Sequence, residues 1–238
     1  MELLSFKIDR DELAERFGGG LPRGSLVVIE GEYGAGKSIL TQRLTYGLIM
    51  NDVSVTLLST ELTTAGFLDQ IMSLQYDLEE ALVNERLVFL SVHPIFGQTA
   101  PRGEALQRIV EARKMYEKDV VIFDCFSKFL ADHAASHAEG RGPMEGIEGA
   151  LRFFKRLTSL GKTIILTFES GQVSPQIASI FKESADVFLS LRFELVGNSA
   201  SRRIIVHRLS RAKSRFGDII GYRVEPGVGL VIEIKSVV

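Results

Sequence analysis

From residue 25 onward the apolar positions switch repeatedly between the two spacings of regular structure. Residues 25–30 (SLVVIE) form a short apolar run with β-branched side chains, the mark of a buried strand. Residues 37–50 then place Ile39, Leu40, Leu44, Leu48 and Ile49 near helical spacing, and residues 53–59 (VSVTLLS) return to a strand pattern. A helix over 64–74, a strand over 87–92, an amphipathic helix over 104–116 and a strand over 120–124 continue the alternation. Residues 143–160 read as a helix closed by Gly161, a residue suited to a left-handed cap, and 163–168 (TIILTF) as the next strand. Strands that alternate with helices predict an α/β protein with a mostly parallel central sheet.

Beyond Asp186 the rhythm changes. Four strand-like stretches, 187–195, 203–209, 218–224 and 230–234, follow one another with turn residues at Gly197, Asn198 and 227–229, which predicts an antiparallel C-terminal extension of the sheet. Two segments, 94–103 and 131–142 (ADHAASHAEGRG), read as mobile loops. There is no internal repeat and no low-complexity block, so a single domain over 1–238 is expected.

Composition narrows the class. With 45% hydrophobic residues in 238, a large core is within reach. The single cysteine, Cys125, excludes an intramolecular disulfide and suits a reducing, cytoplasmic setting. The opening MELLSFKID lacks the charged leader and apolar run of an export signal, and no stretch approaches the roughly 20 apolar residues of a membrane span. Direct membrane insertion is therefore not expected. The 28 basic and 30 acidic side chains leave a net charge of −2, so bulk charge does not draw the molecule to nucleic acid.

The strongest chemical signal sits between the first strand and its helix. Gly31, Glu32, Tyr33, Gly34, Ala35, Gly36, Lys37 and Ser38 match G-x-x-x-x-G-K-[ST], with Ile39 next in line. Glycines let backbone amides turn inward around phosphate oxygens, and the following helix aims its positive end at them. Lys37 would reach the β and γ phosphates of a purine nucleoside triphosphate, and Ser38 would ligate Mg2+. Such a domain also needs an acid at the end of a neighbouring strand to hold a water on the metal. Asp124, after the apolar run Val120, Val121, Ile122 and Phe123, supplies it; a helix cap is the other reading.

Upstream, Phe17 to Ser25 (FGGGLPRGS) resembles the entry of RecA-like ATPases of the KaiC group. More selectively, residues 58–64 (LSTELTT), the tail 211–218 (RAKSRFGD), Tyr222 to Pro226 (YRVEP) and Gly229-Leu230 are similar to the FlaH family, accessory ATP-binding proteins of the archaeal flagellum (archaellum) motor. The resemblance spans nearly the whole chain. It implies a RecA-like P-loop core with helices on both faces, Mg-ATP binding, a homo-oligomeric (hexameric) ring, and docking onto the motor ATPase and membrane platform of the archaellum. A KaiC-like or recombinase-like ATPase acting on protein or DNA is the alternative.

For hydrolysis, Glu61 stands after the second strand, where RecA-like proteins often place the residue that positions the attacking water; a carboxylate in the first turn of the next helix is the bland reading. Thr60 precedes it where KaiC-type sites carry a second glutamate, so slow or absent hydrolysis is expected. Glu169, closing the strand 163–168, is a γ-phosphate sensor candidate, with Thr167 and Ser170 as competitors and a helix cap region as the alternative. Arg202, Arg203, Arg208, Arg211, Lys213 and Arg215 concentrate positive charge in the tail. A solvated strand face is one reading and single-stranded nucleic acid another. By resemblance, Arg211 and Lys213 are candidates for a finger reaching a neighbour's γ-phosphate. His133 and His137 are four apart without a third ligand, and Cys125 reads as a buried small residue.

Overall fold

The computed structural model describes residues 2–92, 105–136, 144–196, 199–210 and 219–233. The chain opens with an antiparallel pair, β1 (Leu3–Leu4) and β2 (Leu21–Pro22), with the short helix α1 (Leu13–Arg16) between them. Then come β3 (Leu26–Gly31), α2 (Lys37–Met50), β4 (Val55–Ser59), α3 (Thr64–Ser73), α4 (Glu79–Val83), β5 (Leu87–Ser91), α5 (Ala105–Glu111) and a 3-10 turn (Arg113–Tyr116). β6 (Val120–Asp124), α6 (Phe126–Ser136), α7 (Met144–Ser159), β7 (Thr163–Glu169) and α8 (Pro175–Ser184) follow. Four strands end the chain: β8 (Val187–Val196), β9 (Ser199–Leu209), β10 (Ile219–Glu225) and β11 (Gly229–Glu233).

Among the described residues the main sheet has nine strands in the order β11-β10-β9-β8-β3-β7-β6-β4-β5. Every pair from β8 to β5 is parallel, and β9, β10 and β11 add antiparallel pairs at one edge. This is the expected mostly parallel sheet with its antiparallel extension. The parallel strands are buried on both faces, so successive side chains feed two cores. Val27 and Ile29 of β3 pack with α2 and α3 on one side; Leu26 and Val28 pack with α5, α6, α7 and α8 on the other. The second core is aromatic, with Phe126 at its centre against Phe123, Phe154, Phe168 and Phe181.

Several element boundaries differ from the sequence pattern for identifiable reasons. The first half of the presumed loop 131–142 is helix, because α6 begins upstream at Phe126 and buries Phe126, Phe129 and Leu130 at i, i+3, i+4 spacing. The rest of that segment, residues 137–142, and the segment 94–103 lie outside the described residues. The helix over 104–116 is divided, with α5 ending at Glu111 before the 3-10 turn. Helix α8 is absent from the elements that apolar spacing predicts, and its signal is a cap: Ser174 accepts a hydrogen bond from the Ile177 amide and Pro175 takes the first helical position. Gly161 does hold the left-handed conformation, φ 86°, just past α7.

The N-terminal segment has a specific task. It wraps α2, where Arg43, fully buried, makes a two-pronged ion pair with Asp11 (2.6 and 2.7 Å) and donates to the Phe6 carbonyl at 3.0 Å. Gly47 permits that approach, since a Cβ there would lie 2.2 Å from the Phe6 oxygen.

Candidate functional site

β3 delivers the chain to the carboxyl edge of the sheet, where the loop 32–36 turns into α2. Ligands of open α/β sheets bind at this edge. Gly36 is the N-cap of α2 with φ 95°, and no side chain caps the helix, so its first amides remain available to a ligand. Ala35 is buried, Ile39 packs against the core, and the Tyr33 ring is 86% exposed at the tip.

The order of strands decides which groups meet. β7 lies between β3 and β6, so its carboxyl end stands between the phosphate loop and Asp124. Gly31 is in register with Glu169, and Ser59 with Asp124. Lys37, 7% exposed, directs its Nζ to the carbonyls of Gly31 (3.0 Å) and Glu32 (2.9 Å) and to Glu169 Oε2 (2.7 Å). On the other side of β7, Thr167 donates to Asp124 Oδ1 at 3.4 Å and accepts from the Cys125 amide at 2.6 Å. Glu169 and Thr167 of β7 thus have separate partners: Glu169 holds the lysine, and Thr167 holds the acid strand. Ser170 contributes its amide to the Gly31 carbonyl at 3.0 Å.

Asp124 is 3% exposed, and burial pushes its pKa up to about 6. The Ser38 hydroxyl, Thr167 and Lys37 favour its ionised form, while the charge of Glu61 opposes it. A buried carboxylate with a pKa raised only to about 6, beside a serine hydroxyl, still offers the hard oxygen donors that Mg2+ prefers. Among the described residues no cluster of three or more His, Cys, Asp or Glu could hold a metal unaided. A cation at Ser38 and Asp124 would therefore be completed by phosphate oxygens and water, as magnesium usually is. The residues fit the metal.

Glu61 lies in the connection after β4 and not in the first turn of α3, whose N-cap is Thr63. Its amide and that of Leu62 bond to Ser59 Oγ, while Thr60 bonds to the Asp124 carbonyl through both its amide (3.2 Å) and its hydroxyl (3.3 Å). These bonds tie the ends of β4 and β6 together and leave the Glu61 carboxylate exposed, near enough to Asp124 to affect its titration. Cys125 has φ 67° and is buried, and burial raises its pKa, which suits an inert residue.

Arg211, Lys213 and His137 lie outside the described residues; the His133 ring sits against Gly146 of α7. The sequence pattern did not single out Tyr222 of β10, whose buried hydroxyl donates to the Ala35 carbonyl at 2.6 Å. Only the YRVEP motif hinted at it, since nothing in strand periodicity points a tyrosine to a loop 187 residues away.

Residues 9–233 match the family model of the KaiC ATPases. The archaeal flagellar ATP-binding protein FlaH of Methanocaldococcus jannaschii is 35% identical over 100% of this chain and 98% of its own length, and that of Methanococcus voltae is 31% identical over 100% of both. The crystal structure of the flagellar accessory protein FlaH from M. jannaschii superposes with a TM-score of 0.89, covering 98% of this chain and 100% of that one. A KaiC-like protein from Pyrococcus horikoshii, 16% identical, shares the fold with a TM-score of 0.72 over 98% of this chain and 99% of its own. A lysine-bearing phosphate loop at the carboxyl edge of a KaiC-type sheet, with similarity running from end to end, places the chain in the FlaH family of KaiC-like ATPases.

Proposed function

We propose that this chain is a single-domain, Mg-ATP-binding regulatory component of the archaellum motor, whose nucleotide state controls ring assembly and binding to the motor ATPase. One observation carries the reading: a buried Lys37 in a phosphate loop is held by an exchangeable carboxylate, Glu169, beside the Ser38 and Asp124 pair. The amides of Gly34, Gly36, Lys37 and Ser38 would cradle the phosphates, with the Ala35 amide bonded to the Glu32 carbonyl at 3.1 Å within the loop, and Lys37 would trade Glu169 for phosphate oxygens. Ser38 directly and Asp124 through water would hold magnesium, which when bound offsets charge on the β and γ phosphates.

Slow or absent hydrolysis is the expected behaviour. Glu61 is the single candidate to position water, and as an exposed side chain it has no packing to fix its aim. Arg211 and Lys213, in the segment that leads into β10, are the candidates to reach a neighbouring subunit's nucleotide. Among the described residues no helix is long and apolar enough to cross a membrane. Placement at the cytoplasmic membrane would come through the platform partner.

Lys37→Ala should weaken ATP binding by about 100-fold or more, the loss of a charge-assisted phosphate contact together with the loop it orders. Isothermal titration with Mg-ATP, with oligomer size and motor-ATPase capture read on the same samples, tests it. Unchanged assembly and capture in the variant would remove the switch. A steady turnover of roughly 1 per second or faster would favour the enzyme reading, a KaiC-like ATPase working on protein or DNA.

A further inference from the structure

We propose that Tyr222 is a positioning residue for the phosphate loop, and that through it the C-terminal strands set the affinity for nucleotide. The proposal rests on the nucleotide-binding reading of Gly31 to Ser38 given above.

The observation is a hydrogen bond of unusual placement. Tyr222 sits in the antiparallel extension, where it pairs with Arg202 of β9 and Ile232 of β11. Its side chain is fully buried, and its hydroxyl donates to the Ala35 carbonyl at 2.6 Å. A trans peptide is planar, with its C=O and N–H pointing opposite ways. Holding the Ala35 oxygen toward Tyr222 therefore turns the Gly36 amide hydrogen away from it. The direction of a loop amide, the group that meets phosphate, is thus fixed by a side chain from another part of the sheet. Burial raises the pKa of this hydroxyl, so it remains a donor throughout the physiological range.

The contact also explains the residue at 36 beyond its backbone angle. A Cβ at Gly36 would lie 2.6 Å from Tyr222 Oη, so a side chain there would displace the hydroxyl as well as strain the backbone at φ 95°. The far end of the same hairpin is moored separately. The Leu230 amide donates to Tyr76 Oη at 3.0 Å, and the Gly227 amide to the Ser73 carbonyl at 2.8 Å. The β10–β11 hairpin is thus held at the middle of β10 by the phosphate loop, and at its turn and the start of β11 by the end of α3 and the residues after it. It is also the direct continuation of the segment carrying Arg211 and Lys213.

Tyr222→Phe keeps the ring and deletes the bond. Tyr76→Phe is its control, because it removes a hydroxyl bond of the same hairpin that does not touch the loop. In the full-length protein, Tyr222→Phe should weaken binding of a fluorescent ATP analogue with magnesium by about threefold to tenfold. Its nucleotide-free melting temperature should stay within about 3 °C of wild type. Tyr76→Phe should leave the Kd within twofold. In wild type, nucleotide should slow amide hydrogen exchange in residues 219–225, and that slowing should be lost in Tyr222→Phe but kept in Tyr76→Phe. A Kd within twofold of wild type for Tyr222→Phe overturns the proposal, as does an equal loss of affinity in both variants. A wild-type chain that fails to bind the analogue would overturn the phosphate-loop reading itself, and this one with it.

Discussion

Helix α2 carries two buried cations, Lys37 at its first residue and Arg43 in its middle, and their surroundings differ in kind. Arg43 is enclosed by the N-terminal segment: two bonds to Asp11 and one to the Phe6 carbonyl occupy its fork, with both ionic side chains at or below 1% exposure. Lys37 lies at the carboxyl edge of the sheet, held by two carbonyls and by Glu169, itself 19% exposed. A charge saturated on all sides inside the fold is a structural clasp. A charge held at the mouth of a ligand site by a partner that solvent can reach is one whose partner can be exchanged. Burial of the cation alone does not separate the two; the exposure of its carboxylate partner does, at 19% for Glu169 against 1% for Asp11.

That contrast can be broken at the clasp first. Arg43→Met should cost about 3–5 kcal/mol, because Asp11 is left buried without its cation. For a chain of this size the drop is about 10 °C in melting temperature. Urea unfolding checks it, and adding Asp11→Leu should recover most of the loss. A single variant as stable as wild type would show that the clasp is dispensable.

The next effect has the opposite sign. The folded protein holds the Asp124 pKa at about 6 against an ordinary value of 3.8, mainly through burial. The native state therefore binds this proton more tightly than the unfolded chain. Stability from this group falls as pH rises from about 4 to about 6, and the loss, about 3 kcal/mol, is complete above that. Asp124→Asn should raise the melting temperature by about 5 °C at pH 7.5 in EDTA, but not at pH 4, while removing the magnesium dependence of ATP binding. Calorimetry at the two pH values decides it; equal behaviour at both would remove the buried-acid account.

The smallest effect sharpens the comparison most. Glu169→Gln deletes the carboxylate that competes with phosphate for Lys37, so ATP binding should tighten by about threefold. Weaker binding would instead make Glu169 a direct contributor to holding the nucleotide.

Much of this was legible along the chain because it is local. Buried parallel strands read as continuous apolar runs, so β3, β6 and β7 could be placed to within a residue or so. The phosphate loop is one contiguous stretch. Helix α6 was hidden because its apolar residues precede the small polar ones that resemble a loop, and α8 because it is short and buries only Ile177, Ala178 and Phe181. Asp11 gave no signal, since an aspartate beside Arg10 and Glu12 reads as surface; only its distant partner Arg43 makes it a core residue.

What the sequence determined by itself is therefore the alternating α/β plan, the glycine-rich G-x-x-x-x-G-K-S loop after β3, and the acid that ends β6, each encoded by neighbours in the chain. The tertiary structure alone decided which carboxylate faces Lys37, which strand hydroxyl faces Asp124 and that a tyrosine of the last hairpin bonds to the loop. The reason is sheet order. β7 enters between β3 and β6, and the β10–β11 hairpin shares a core with α2, so groups far apart in sequence are brought within hydrogen-bond distance by strand order and packing that no local pattern records.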